Sequence, residues 1–130
     1  MKAIIISIAI SLLSIMAKGQ NQSELNAKAK LEYEKIDKDL NQTYQKIVQN
    51  YKADTIFIKS MKDAQLLWIK FRDAQAKMKF PPYINSNESI LPMCKYYYLI
   101  ELTNSRVKEL NQWLKGTEEG NVCAGSIKSK

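Results

Sequence analysis

From residue 22 onward, apolar residues recur at helical spacing. Leu25, Ala29, Tyr33, Ile36, Leu40, Tyr44, Ile47 and Tyr51 follow one another at intervals of three and four. That spacing puts them on one stripe of an amphipathic helix over Gln22–Tyr51, with Ser23 as its expected cap. A second helix is predicted from Asp54 to Lys79, with Phe57, Met61, Ala64, Trp68, Phe71 and Gln75 as its inward stripe, widened by Ile58 and Leu67. Asp54 is placed to cap it, and Pro81-Pro82 stop it because proline has no N–H and disfavours helical geometry before it. The short link at Tyr51–Asp54 leaves two outcomes, a sharp turn or one long rod, and compactness favours the turn. A third helix is predicted from Ser89, with Pro92 in its first turn. It continues through Leu99, Leu102, Arg106, Leu110 and Trp113 to Lys115, with Gly116 at the C-cap. Phe80–Glu88 reads as a loop and Thr117–Lys130 as a polar tail. No strand pattern or internal repeat is present. The expected fold is all-α, an antiparallel three-helix bundle with a C-terminal tail.

The first residues change the picture of where such a bundle works. Lys2 precedes an uncharged, Ile- and Leu-rich run, Ala3–Met16, and the small residues Ala17 and Gly19 flank Lys18. This is the layout of a secretory signal peptide, and the run is shorter than the roughly 20 residues of a spanning helix. The expected division is a signal peptide at 1–19, a helical domain at 20–116 and a tail at 117–130, with a retained anchor as the alternative. The processed chain is expected to be periplasmic or secreted, without stable membrane insertion. Formal charge is +7; without Lys2 and Lys18 the twenty basic residues become eighteen against thirteen acids, or +5. The lysines are spread among acids and there are two arginines, which fits a solvated helical surface and not a nucleic-acid face. Weak attraction to anionic wall polymers or a membrane surface is the lesser reading.

The chain has no histidine. That removes the usual general base, the usual zinc ligand and every Ser–His or Cys–His nucleophile pair. No cofactor is implied, and a non-catalytic binding protein is expected. Asp37, Asp73 and Glu101 could be imagined as acid and base, but no nucleophile or metal constellation accompanies them. The two cysteines, Cys94 and Cys123, are the only disulfide candidates, and an exported chain favours pairing them. If the third helix reaches Lys115, Cys94 lies about 31 Å from its end. Closure then requires the tail to run back nearly straight along the helix, because bonded Cα atoms stand within about 7 Å.

Three clusters occur in order: Asp37-x-x-Leu40-Asn41-x-x-Tyr44, then Gln65-x-x-Trp68-x-x-Phe71-Arg72-Asp73, then Leu102-Thr103-x-x-Arg106-x-x-x-Leu110. In this order and spacing the chain resembles the N-terminal-domain family of LprI-type lysozyme inhibitors, over about Ser23–Leu114. The Trp-x-x-Phe-Arg-Asp piece is the most specific part. The resemblance implies a small exported bacterial helical protein of the cell envelope whose protein partner is a lysozyme-type glycosidase. The chain departs from the family where its members often carry Cys, at Lys28, Ala76 and Tyr98. The acidic-Gly segment Glu118–Cys123 looks like the family's tail.

Read as residues, these clusters have two roles open to them. The structural one pairs Arg72 with Asp37, Asp73 or Glu101, as a bidentate bond, and uses Asn41, Thr103 and Arg106 similarly to fix helix register. The other is a surface site for a partner. Tyr96-Tyr97-Tyr98 cannot all face one core, so at least one is exposed or covers the tail. Tyr83 and Glu88 in the loop, Tyr96 and Tyr97, and Glu118 and Glu119 in the tail are the expected partner contacts. Two functions follow: an inhibitor that plugs a glycosidase cleft with a loop or tail, or an envelope adaptor that does not inhibit.

Overall fold

The computed structural model describes residues 2–84 and 90–130, with side chains from residue 21 onward. Three helices account for most of the chain: α1 (Lys2–Asn50), α2 (Thr55–Lys79) and α3 (Leu91–Lys115). No strand occurs among the described residues. Successive helices run antiparallel, so α1 and α3 are parallel. Gln22 meets Met93 at one end of the pair, and Tyr51 meets Trp113 at the other.

The α1 stripe packs nearly as its spacing predicts. Ala29, Leu40, Ile47 and Tyr51 are buried, while Leu25 at its start is largely exposed. The helix begins well before Gln22 and runs unbroken through position 20, so Ser23 lies inside it and does not cap it. No proline stands in Lys2–Gln22 to break the backbone ladder. The turn chosen over the rod is made by Asp54. Its backbone N–H donates to the Tyr51 carbonyl (2.8 Å) and its carboxylate accepts from the Phe57 N–H (2.9 Å). Two chain directions are fixed by one residue that both closes a turn and caps a helix.

In α2 the inward face is turned from the predicted one. Met61, Gln65, Arg72 and Ala76 are buried. Phe71 and Leu67, expected inside or at the edge, are exposed. The polar groups of Gln65 and Arg72 find partners on neighbouring helices, described below, and these partners outweigh the gain from burying Phe71. The core proper is Leu40, Ile47, Tyr51, Met61 and Leu110, with Tyr44, Phe57, Trp68 and Trp113 packed around it. α1 and α3 form the close-packed pair and α2 is attached more loosely. Small buried residues, Ala29 and Thr43 on α1 and Thr103 on α3, let the two axes approach. A hollow of about 280 Å³ remains between α2 and α3, walled by Phe57, Met61, Leu110 and Trp113.

α3 starts after Ile90 with no side-chain cap and with Pro92 in its first turn. Ser89, the expected cap, lies outside the described residues, as does Glu88. The C-cap falls on Gly116, as predicted, with φ +73° and its N–H on the Gln112 carbonyl.

Candidate functional site

Two arrangements hold the residues that the sequence singles out. The first is a polar seam along the inner face of α2. Arg72, with its side chain 10% exposed, donates from Nη1 to Asp37 Oδ1 on α1 (3.0 Å) and from Nε to Asp73 Oδ1 (2.9 Å). The expected bidentate bond to one carboxylate is instead two single bonds to two carboxylates, because Asp37 and Asp73 approach different edges of the guanidinium. Glu101 is exposed and takes no part. Asn41 donates to the second oxygen of Asp37, at 3.4 Å.

About two helical turns back along α2, Arg106 of α3 makes a similar pairing. Its Nε donates to Gln65 Oε1 on α2 (3.0 Å) and its Nη1 to Glu109 Oε2 (2.7 Å). Trp68 lies between the two pairs, its ring centroid 5.4 Å from the Arg72 Cζ and 5.8 Å from the Arg106 Cζ. Both contacts fall in cation–π range. Trp68 is thus the hinge plate of a seam that ties α1 to α2 through Arg72 and α2 to α3 through Arg106.

Charge in the seam follows from burial and neighbours. Burial works against the Arg72 charge, but the hydrogen bond it donates to Asp73 and the charges of Tyr33, Asp73 and Asp37 outweigh it and hold the guanidinium above its ordinary range. Burial pushes the Tyr33 hydroxyl above its usual value; nearby Arg72 opposes this and Asp37 and Asp73 add to it. Thr103, fully buried, makes no hydrogen bond from its hydroxyl, so it does not share the pairing role expected of it. Leu40, Tyr44 and Leu110 of the motifs are core or core-edge residues. The motif residues that the structure brings together therefore join helices. Among the described residues, no group of three or more His, Cys, Asp or Glu side chains is placed to hold a metal ion.

The second arrangement is one that helical periodicity has no means of signalling. Thr117–Lys130 closes on itself as a compact loop. Thr117 N–H donates to the Lys128 carbonyl (3.0 Å) and Lys130 N–H to the Thr117 carbonyl (3.0 Å), forming a short parallel bridge between Thr117 and Ser129. Turns at Glu118–Asn121, Asn121–Ala124 and Ala124–Ile127 carry the chain around. The loop docks on the end of the bundle where α1 meets α2. Tyr51 hydroxyl donates to the Trp113 carbonyl (3.2 Å) and accepts from Lys128 N–H (3.1 Å). The Lys128 ammonium caps the Asn50 carbonyl (2.7 Å) and lies over the Tyr51 ring (4.3 Å). Trp113 Nε1 donates to Ser126 Oγ at 3.0 Å. A Cβ on Gly116 would stand 2.9 Å from the Lys128 carbonyl oxygen, so only glycine allows this close approach at a positive φ.

The fold-back also decides the cysteines. The Cys94–Cys123 bridge expected from the sequence is not formed, and both thiols are free. Cys94 sits in the first turn of α3, whereas the loop holds Cys123 at the far end of that helix. The tail spends its length closing a ring instead of running back along the bundle.

The expected partner contacts fall at two separate ends. Glu118 and Glu119 are exposed on the docked loop, beside Val122 at 96% exposure. Residues 117–127 carry Glu118 and Glu119 and no basic side chain, so this stretch of the loop, before Lys128 and Lys130, is locally acidic on a basic chain. Tyr83 and Tyr97 are exposed near the opposite end of the bundle. Tyr96 is half-buried against Tyr33, with ring centroids 5.9 Å apart. Tyr98 packs on Phe80 and under the Lys79 ammonium, so none of the three tyrosines covers the tail.

Comparison with known proteins bears on the whole arrangement. Residues 15–110 match the family described as "Lysozyme inhibitor LprI". The chain is 30% identical over 112 residues to "Uncharacterized protein R02472" of Rhizobium meliloti (strain 1021), covering 78% of this chain and 79% of that protein. No solved structure matches.

Proposed function

The chain belongs to the LprI lysozyme inhibitor family, and from that premise we propose that it is an exported, non-catalytic inhibitor of a lysozyme-type glycosidase in the bacterial envelope. The docked acidic loop is the observation that carries the reading to particular residues. Glu118, Glu119 and Val122 project from a segment already ordered by Tyr51, Trp113 and Lys128. Ordering before contact lowers the entropic cost of association. Glycosidases of this class work through paired carboxylates in a cleft, so an inhibitor acts by obstructing that cleft and its rim. Many lysozymes are basic, and long-range repulsion with a basic inhibitor slows encounter unless an acidic patch leads. The loop supplies such a patch.

The test is lysis of cell walls by lysozyme, followed by turbidity, with increasing amounts of the processed chain. Inhibition is expected, and Glu118→Lys with Glu119→Lys is expected to weaken it while leaving the helical signal unchanged. Undiminished lysis at excess chain would instead favour the non-inhibitory envelope adaptor. Inhibition indifferent to both substitutions would remove the loop from the contact.

A further inference from the structure

The turned face of α2 leaves an apolar arc without a partner. Ile56 (80% exposed), Leu67 (65%), Phe71 (55%) and Met78 (71%) fall on one side of this helix, outside the core. At 3.6 residues per turn they occupy about a sixth of the circumference and about 33 Å of length, and no charged residue interrupts them. Lys59, Lys70 and Lys77 line the edge of the arc, with Asp63 as the acid among them. The other acid of α2, Asp73, is engaged by Arg72. An apolar strip with lysines along one edge suits a helix lying in a lipid headgroup layer, with the lysine stems reaching outward to the phosphates.

We propose that α2 is a peripheral membrane-contact face, its apolar arc entering the headgroup layer of an anionic bilayer while Lys59, Lys70 and Lys77 engage lipid phosphates. Charge selects this occupant over a second copy of the chain. Two such arcs face to face would gather six ammonium groups at one interface against two free carboxylates, whereas an anionic bilayer neutralises them. The contact is reversible and superficial. It is independent of the inhibitory reading and does not use the acidic loop, which lies at one end of the bundle and not on this side.

The test is flotation of the processed chain, as recovered from producing cells, with vesicles of phosphatidylglycerol and phosphatidylcholine against phosphatidylcholine alone. Binding to the anionic vesicles that falls with added salt is expected. Each lysine near the surface contributes about fivefold. Lys59→Gln, Lys70→Gln and Lys77→Gln together are therefore expected to lower partitioning by about a hundredfold at low salt. Leu67→Ser with Phe71→Ser is expected to lower it by at least about tenfold. All five side chains point outward, so circular dichroism is expected to show unchanged helix in both variants. Equal binding to both vesicle types, no binding to either, or binding untouched by the substitutions would overturn the proposal. So would a dimer in sedimentation that Phe71→Ser dissolves, which would assign the arc to a second copy.

Discussion

Replacing Arg72 by methionine probes the seam with the least disturbance of packing, because the methionine keeps most of the buried stem. Four contacts are lost, a weak one over the Tyr33 ring (5.9 Å) among them. The bond to Asp37 crosses from α2 to α1; buried, a charge-assisted bond contributes about 1.5–3 kcal/mol. Asp37 is 37% exposed, so water takes over part of its solvation and the figure falls toward about 1 kcal/mol. Asp73 is 60% exposed and adjacent in sequence, and its bond contributes at most about 0.5 kcal/mol. The guanidinium on Trp68 adds about 0.5–1 kcal/mol. Against this, methionine no longer has to be stripped of hydration, which returns part of the loss. The net expectation is a destabilisation of about 1–2 kcal/mol. With a urea slope of about 1–3 kcal/mol per molar, that moves the unfolding midpoint by about 1 M. Urea titration followed by helical circular dichroism reads it directly. A double-mutant cycle with Asp37→Asn is expected to give a coupling of about 1 kcal/mol, and one with Asp73→Asn less than about 0.5 kcal/mol. A midpoint for Arg72→Met at or above that of the unaltered chain, or equal couplings to both acids, would refute the view that the seam fastens α2 to α1.

Other consequences are as specific. Gly116→Ala forces a residue with a side chain into a glycine-only backbone region against the Lys128 carbonyl, at a cost of about 1–3 kcal/mol. It should release the loop, raising amide exchange at Thr117 and Lys130 while the helices keep their circular dichroism. Burial and the acids near Tyr33 raise its folded-state pKa above 10, so the folded chain holds this proton more tightly than the unfolded one. That contribution is complete below pH 10 and is lost as pH rises through the folded value. The alkaline fall in urea midpoint should therefore be shallower for Tyr33→Phe than for the unaltered chain. Leu40→Ala, in the centre of the core, should cost about 2–5 kcal/mol, whereas Leu67→Ala on the open face should change stability by less than about 0.5 kcal/mol.

The helices are legible in the sequence because their periodicity and breakers agree, although Ser23 lies inside α1 and caps nothing. The α1 stripe, Asp54, Pro81-Pro82 and Gly116 all act at their predicted places. The face of α2 is not legible from hydrophobicity. Gln65 and Arg72 count as surface residues until Arg106, Asp37 and Asp73 are seen to satisfy them, and their burial turns Phe71 outward. Spacing alone places Arg72 one position beyond the stripe, close enough to suggest a pairing with Asp37 but too coarse to resolve two acceptors. The loop at 117–130 is invisible to periodicity because backbone hydrogen bonds and a tyrosine hydroxyl hold it, and neither leaves a repeating pattern. The signal in the sequence is three glycines, Gly116, Gly120 and Gly125, in a polar segment, and all three adopt positive φ in the structure. The missing Cys94–Cys123 bridge follows from the same fold-back.

The central claim is that an ordered acidic loop on a three-helix bundle is the arm that meets a lysozyme-type enzyme. Amide hydrogen exchange of the chain, alone and with lysozyme in excess, tests it most directly. The free chain should show slowed exchange at Thr117, Lys128 and Lys130, and added enzyme should protect Glu118–Cys123 as well. Fast exchange throughout 117–130 in the free chain, or protection by lysozyme confined to other surfaces, would contradict the account.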